Sequence, residues 1–284
     1  MNDSKKTLLL GGGYVLSRLA AELEPESFII TTRSADKLET FKKLGYQAAI
    51  LDVENNSEVR DFFKSNSGIT SIIDSVPPGG PVRAKKSVKL IVECAKNSGV
   101  SKLLYLSTTG VFGVTDGSVV DETTHCKPQT PKAKARLLVE EEYSVSGLDF
   151  TTFRIPAIYG PGRGPGISLK GGVYPLIAGG ESWSNRVHVD DIVSCLKIAL
   201  ETAGLPKVLC LSDDLPALTK DVVAFYCEKF DIEYPASISE EEAGQKKLHT
   251  LLSSQKVSNA LLKSELSVEL KYPSYKEGAG TEFE

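Results

Sequence analysis

Glycines crowd one short turn, "LLLGGGYVLSRLA" (residues 8–20), where Gly11 and Gly13 fill the first two places of the pattern G-x-G-x-x-G. An apolar run precedes them and a helical pattern follows, so the turn joins a strand to a helix. Glycine at the first place permits the tight turn, and at the second it lets a pyrophosphate approach the backbone. Tyr14 and Val15 then open a helix whose first N–H groups would face that anion. Leu16 stands in the third place, where glycine normally permits close helix–strand contact. The turn predicts binding of a dinucleotide.

Which dinucleotide depends on the end of the second strand, "TTRS", which supplies Arg33 and Ser34 with Lys37 one turn later. A carboxylate there would bind the ribose 2′-OH of NAD, whereas an arginine suits a 2′-phosphate. NADP(H) is therefore expected to be preferred over NAD(H). A charged hydrogen bond contributes about 1.5–3 kcal/mol, or roughly 10- to 100-fold in affinity. The competing reading of these residues is a solvated loop. Asp52, ending the third strand, is a candidate neighbour of the adenine. Asp74 and Ser75 end the fourth, where a nicotinamide ribose would lie. An aspartate at the end of a buried strand is either a turn residue or a poised carboxylate.

Other polar clusters carry weaker signals. "HVDD" puts His188, Asp190 and Asp191 at a helix start, where aspartate is an ordinary cap, and this outweighs metal ligation. Cys94, Cys126, Cys195, Cys210 and Cys227 are scattered without paired spacing, as buried reduced thiols would be. No metal is expected. Arg163 and Arg186 flank the expected substrate mouth and suit an anionic group. Trp183 either lines that cleft or packs a small lobe.

The glycine turn, "YLSTTGVFG" (105–113), "DETTHCKPQTP" (121–131), "FRIPAIYGPGR" (153–163) and "RVHVDDIV" (186–193) occur in order. Together they resemble the extended short-chain dehydrogenase/reductase superfamily, of the NAD(P)-dependent epimerase/dehydratase kind. The resemblance covers most of the chain and is closest to an atypical branch lacking the Tyr-x-x-x-Lys pair. It implies that Thr108, three residues before Val111-Phe112-Gly113, orients the reacting oxygen. It also implies a proton-donating tyrosine and a ribose-binding lysine at i, i+4 on the next helix, one face of which would carry both. Those places hold Lys132 and Arg136, in "PKAKAR". Lys132 as an ammonium could donate a proton, and Arg136 could still bond a ribose hydroxyl. Equally, the pair could be two solvated cations on an inactive helix. Tyr159, in "AIYGPG", is a second proton-donor candidate, although a tyrosine there usually packs.

These residues need a scaffold that brings strand ends together. Strand and helix patterns alternate through the first 160 residues, which implies right-handed crossovers and a parallel sheet covered on both faces. The expected fold is α/β: a Rossmann-type doubly wound parallel sheet over residues 1–160, with a smaller C-terminal substrate-binding lobe over 161–284. Some segments of that lobe are expected to return to the sheet. "RVHVDDIVSCLKIALETA", "TKDVVAFYCEKFDI" and "SSQKVSNALLKSEL" read as helices.

The chain has 284 residues, 41% hydrophobic and 25% charged, with a formal net charge of −4. That charge argues against a general nucleic-acid binder or a polybasic membrane-surface protein. No apolar run could span a bilayer, and "MNDSKKTLLLGGG" lacks a signal-peptide core, so a cytoplasmic location is expected. The leading expectation is an NADP(H)-dependent oxidoreductase or epimerase-type enzyme acting on a small polar, anion-compatible metabolite. The resemblance adds a homodimer. Against it stand a non-catalytic NADP(H) sensor and a scaffold whose cofactor site has decayed at Leu16.

Overall fold

The computed structural model describes residues 5–246 and 253–284. It opens with β1 (Lys6–Leu10), α1 (Tyr14–Ala20), β2 (Phe28–Thr32), α2 (Ala35–Lys43) and β3 (Ala48–Ile50). Next come α3 (Asn56–Ser65), β4 (Ile69–Asp74), α4 (Pro81–Asn97), β5 (Lys102–Thr108) and the short β6 (Val119–Val120). They are followed by α5 (Pro131–Ser144), β7 (Asp149–Ile155), β8 (Ala157–Tyr159), α6 (Pro165–Lys170), β9 (Leu176–Ile177) and β10 (Trp183–Ser184). β11 (Arg186–His188), α7 (Val189–Glu201) and β12 (Val208–Cys210) precede a 12-residue helix, α8 (Thr219–Phe230), set among shorter elements.

Seven strands form one sheet in the order β12-β7-β5-β4-β1-β2-β3, and the pairings among β1 to β5 are all parallel. Strand order reverses at β1, with β2 on one side and β4 on the other. In such sheets ligands bind beyond the carboxyl ends of the strands at this switch point. The apolar strands are continuous because both faces are covered. All five residues of β2 are buried. Leu8, Ile72, Leu103 and Tyr105 share one core with Val59 and Phe62 of α3, Val88 and Ile91 of α4, and Val139 and Tyr143 of α5.

The chain forms two compact units. The first comprises Met1–Ser107, Pro131–Phe153 and Val193–Val208; the second comprises Thr108–Thr130, Arg154–Ile192 and Leu209–Glu284. In the second, Leu169 and Leu176 pack with Val222, Val223, Tyr226 and Tyr275.

Two segments differ from the helical reading. Arg186–His188 is a strand, parallel to β8, and the helix begins only at Val189. Lys256–Val257 pairs with β6, so the late helix is confined to Ala260–Leu266. Side-chain partners far along the chain decide the second case: the Val257 N–H donates to Asn185 Oδ1 at 2.8 Å.

Candidate dinucleotide site

The glycine turn is built from three different demands. Gly11 has φ +92°, a conformation that disfavours a side chain. Its N–H donates to Thr31 Oγ1 (3.1 Å), and its carbonyl accepts from Ser75 Oγ (2.7 Å). Ser75 thus fixes the turn from the end of β4. Gly12 needs no special backbone, but a Cβ there would lie 2.7 Å from Cε2 of Phe41. The two-glycine pattern treats this position as free, so the sequence reading missed it. Gly13 is the open one, since a Cβ there would meet nothing closer than the Gly11 carbonyl at 3.9 Å. It caps α1 with no side-chain hydrogen bond. Tyr14 and Val15 form the first turn beyond it, and Leu16 is fully buried in the core.

At the end of β2, Arg33 is exposed. Ser34 caps α2 by accepting from the Lys37 N–H at 3.3 Å. The Lys37 ammonium reaches back to donate to the Gly12 carbonyl at 3.2 Å, tying α2 to the glycine turn. Asp52 lies two residues beyond β3 in a turn tied to α3: its Oδ1 accepts from the Glu54 N–H at 3.0 Å, and its own N–H donates to Glu58 Oε2 at 3.0 Å.

Asp74 is held at the end of β4 by two hydrogen bonds. It is 3% exposed, with Oδ1 accepting from the Val76 N–H (2.8 Å) and Oδ2 from the Tyr143 hydroxyl (2.7 Å). Burial raises its pKa, opposed by those two bonds and by the charge of Arg136. Tyr143 lies on α5, seven residues beyond Arg136 and three beyond Glu140, so all three share one helix face. Each is tied to the sheet. Arg136 Nη1 donates to the Leu106 carbonyl (2.8 Å), the Tyr105 hydroxyl (3.0 Å) and the Val76 carbonyl (3.4 Å). Glu140 accepts the Ser107 hydroxyl and is buried. Lys132, at the start of this helix, is exposed.

The remaining candidates belong to the second unit. Thr108 Oγ1 accepts from the Gly110 N–H (3.2 Å), which caps a 3-10 turn and leaves the hydroxyl proton available. Tyr159 is 1% exposed and donates to the Ser274 carbonyl at 3.1 Å, while its ring stands edge-on to His188. Burial pushes its pKa far up. In the free protein its hydroxyl proton is committed to the Ser274 carbonyl, an arrangement that packs the ring. His188 is itself buried, bonded to Thr281 Oγ1, and its Nδ1 accepts from the Asp190 N–H. Asp191 grips the Lys271 and Tyr272 amides (2.7 and 3.0 Å) rather than capping its own helix. Arg163 is exposed, but Arg186 is 5% exposed and donates to Ser184 Oγ, so it is no surface arginine. Among the described residues no cluster of His, Cys, Asp and Glu could hold a metal, and no helix is long and apolar enough to cross a membrane.

Strand order, parallel pairing and a glycine turn at the switch point define a Rossmann-type α/β protein. Residues 7–209 match the model of the NAD dependent epimerase/dehydratase family, and the chain belongs to that family. A functionally unknown conserved protein from Silicibacter pomeroyi DSS is 29% identical, with a TM-score of 0.80 over 96% of both chains. The 3-diazoavenalumate denitrifying reductase of a Streptomyces species is 26% identical over 208 residues, 68% of each protein. The Bordetella bronchiseptica enzyme WbmG, solved with NAD and UDP, shares the fold at 16% identity, with a TM-score of 0.80 over 97% of this chain and 93% of its own.

Proposed function

We propose that the protein is an NADP(H)-dependent oxidoreductase or epimerase-type enzyme acting on a small polar metabolite. The observation that carries this reading is the turn at Gly11–Gly13, tight at Gly11 and open at Gly13, next to a β2 end that bears Arg33 and no carboxylate. Those residues fit a dinucleotide: Gly13 offers room for a pyrophosphate, and the exposed guanidinium of Arg33 suits a 2′-phosphate. Ser34 and Lys37 support that position, Asp52 and Asp74 shape its neighbouring loops, and Ser75 locks the glycine turn.

A bound nicotinamide would supply hydride transfer. In this reading Arg136 anchors the ribose, Lys132 holds and donates a proton as an ammonium, and Thr108 orients the reacting oxygen through its free hydroxyl proton. Residues 1–160 carry the cofactor and 161–284 the substrate, in a cytoplasmic homodimer. A structural neighbour solved with NAD and a 26%-identical reductase support nicotinamide chemistry in general.

Calorimetric titration with NADPH and NADH tests the reading, repeated on Arg33→Ala. NADPH is expected to bind more tightly, and the mutation to remove most of the difference. Equal affinity for both nucleotides in the unmutated protein would overturn the NADP preference. A second reading, a non-catalytic NADP(H) sensor, is favoured by one observation: Nη1 of Arg136 is already engaged by three protein acceptors.

A further inference from the structure

Arg136 stands where the family places a lysine, and its guanidinium is anchored through a single nitrogen. Nη1 carries two hydrogens and faces three acceptors, so it is oversubscribed. Two of those acceptors are the main-chain carbonyls of Leu106 and Val76. The third is the Tyr105 hydroxyl at 3.0 Å, the one side chain of the three. These bonds leave the three donors on Nε and Nη2 outside the anchor.

Tyr105 is well placed to be rigid. It is fully buried on β5, directly paired with Asp74 on β4. Its ring stands edge-on to Tyr143, with centroids 5.6 Å apart, and Tyr143 is pinned by its bond to Asp74. Burial raises the pKa of the Tyr105 phenol, so it remains a neutral acceptor beside the cation. Asp74 and Arg136 are the charged groups on either side of it, with Glu140 one turn further along α5. A phenylalanine would fill the same core space and lack only the oxygen.

We infer that Tyr105 is a positioning residue: its hydroxyl sets the orientation of the Arg136 guanidinium, and so the direction of the donors that meet the nicotinamide-side ribose. Removing it leaves the two hydrogens of Nη1 to the two carbonyls alone and lets the guanidinium swing toward the longer Val76 contact. The inference rests on the dinucleotide reading for its ligand, but the orientation of Arg136 is a property of the free protein.

The test uses Tyr105→Phe with two ligands. Calorimetry with NADPH is expected to show binding weakened by roughly 3- to 10-fold, less than the loss of a charged hydrogen bond to the ligand itself, because the guanidinium is misdirected rather than removed. Adenosine 2′,5′-bisphosphate lacks the nicotinamide half and is expected to bind within about twofold of the unmutated protein. In an Arg136→Met background, Tyr105→Phe is expected to change NADPH affinity no further, the signature of coupling between the two side chains. Unchanged NADPH binding, or equal weakening of both ligands, overturns the inference. Guanidinium ¹⁵N NMR of the ligand-free protein is the second readout. Arg136 is expected to rotate faster about Cζ–Nε in Tyr105→Phe, and identical rates overturn the inference. If the unmutated protein binds neither ligand, the dinucleotide reading fails while the NMR result still decides what Tyr105 does.

Discussion

The carboxylate of Glu282 occupies the space that a side chain on Gly164 would need, and it also crowds the Cβ position of Gly166. Its oxygens accept from the Gly166 N–H and the Tyr226 hydroxyl, each at 3.1 Å, and the residue is 1% exposed. "GPGRGPG" is therefore a cradle for an acid more than a hundred residues away. Burial raises the Glu282 pKa to about 7, against the two hydrogen bonds and the charge of Arg186. A carboxyl whose folded pKa lies above its unfolded value near 4.5 stabilises the fold below that value and loses the contribution as pH rises toward 7. Glu282→Gln keeps the shape and does not titrate. Thermal melts from pH 4.5 to 8 are expected to fall more steeply for the unmutated protein, each 1 kcal/mol appearing as about 2–4 °C. Parallel curves would contradict this.

Adjacent glycines of the dinucleotide turn should respond oppositely to one methyl group. Gly12→Ala pushes into the Phe41 ring and is expected to cost about 1–3 kcal/mol in urea unfolding. Phe41→Leu in the same chain should recover part of that loss. Gly13→Ala has room and an ordinary φ of −88°, so stability should change by less than about 0.5 kcal/mol. Its NADPH affinity is nonetheless expected to fall, by about 10-fold or more, because the methyl occupies the path of the phosphate.

Tyr143→Phe removes a donor from a buried carboxylate and is expected to destabilise by about 1–3 kcal/mol. The lost bond had favoured the charged form of Asp74, so the penalty should grow with pH. Denaturant midpoints at pH 5 and pH 8 check the sign: the gap between mutant and unmutated protein should be wider at pH 8.

Substitutions at Thr108 and Lys132 separate enzyme from sensor. Thr108→Val and Lys132→Met should each reduce NADPH oxidation by about 100-fold or more against any substrate that a screen identifies, consistent with loss of acid–base assistance. NADPH affinity should stay within about threefold. Turnover that survives both changes would remove them from the chemistry.

The sheet was legible in the sequence because its signals are local: apolar strands, intervening helical patterns and a glycine turn. Gly11, Gly13 and Arg33 were readable for the same reason. Gly12 was not, since what forbids a side chain there is Phe41, on the next helix. The face of α5 was only half readable. Arg136 was singled out through the family resemblance, but Glu140 and Tyr143 gain meaning from Ser107 and Asp74, which lie 33 and 69 residues earlier. Arg186 was placed at a substrate mouth and His188 at a helix start, because the strand containing both exists only through its pairing with β8. Glu282 gave no signal, as its partner Gly166 is 116 residues away.

Strand β12 has a bearing on how the chain is made. It is the edge strand beside β7, yet β7 ends at Ile155 and β12 begins at Val208. A ribosome adding about 5–20 residues per second would leave the β7 edge uncovered for roughly 3–10 s while the intervening segment emerges. During that interval the nascent sheet presents unpaired backbone to any neighbouring chain, the usual route to strand-edge aggregation. Yield from a cell should therefore depend on translation speed across residues 156–207 and on chaperone supply, even when the finished protein is stable.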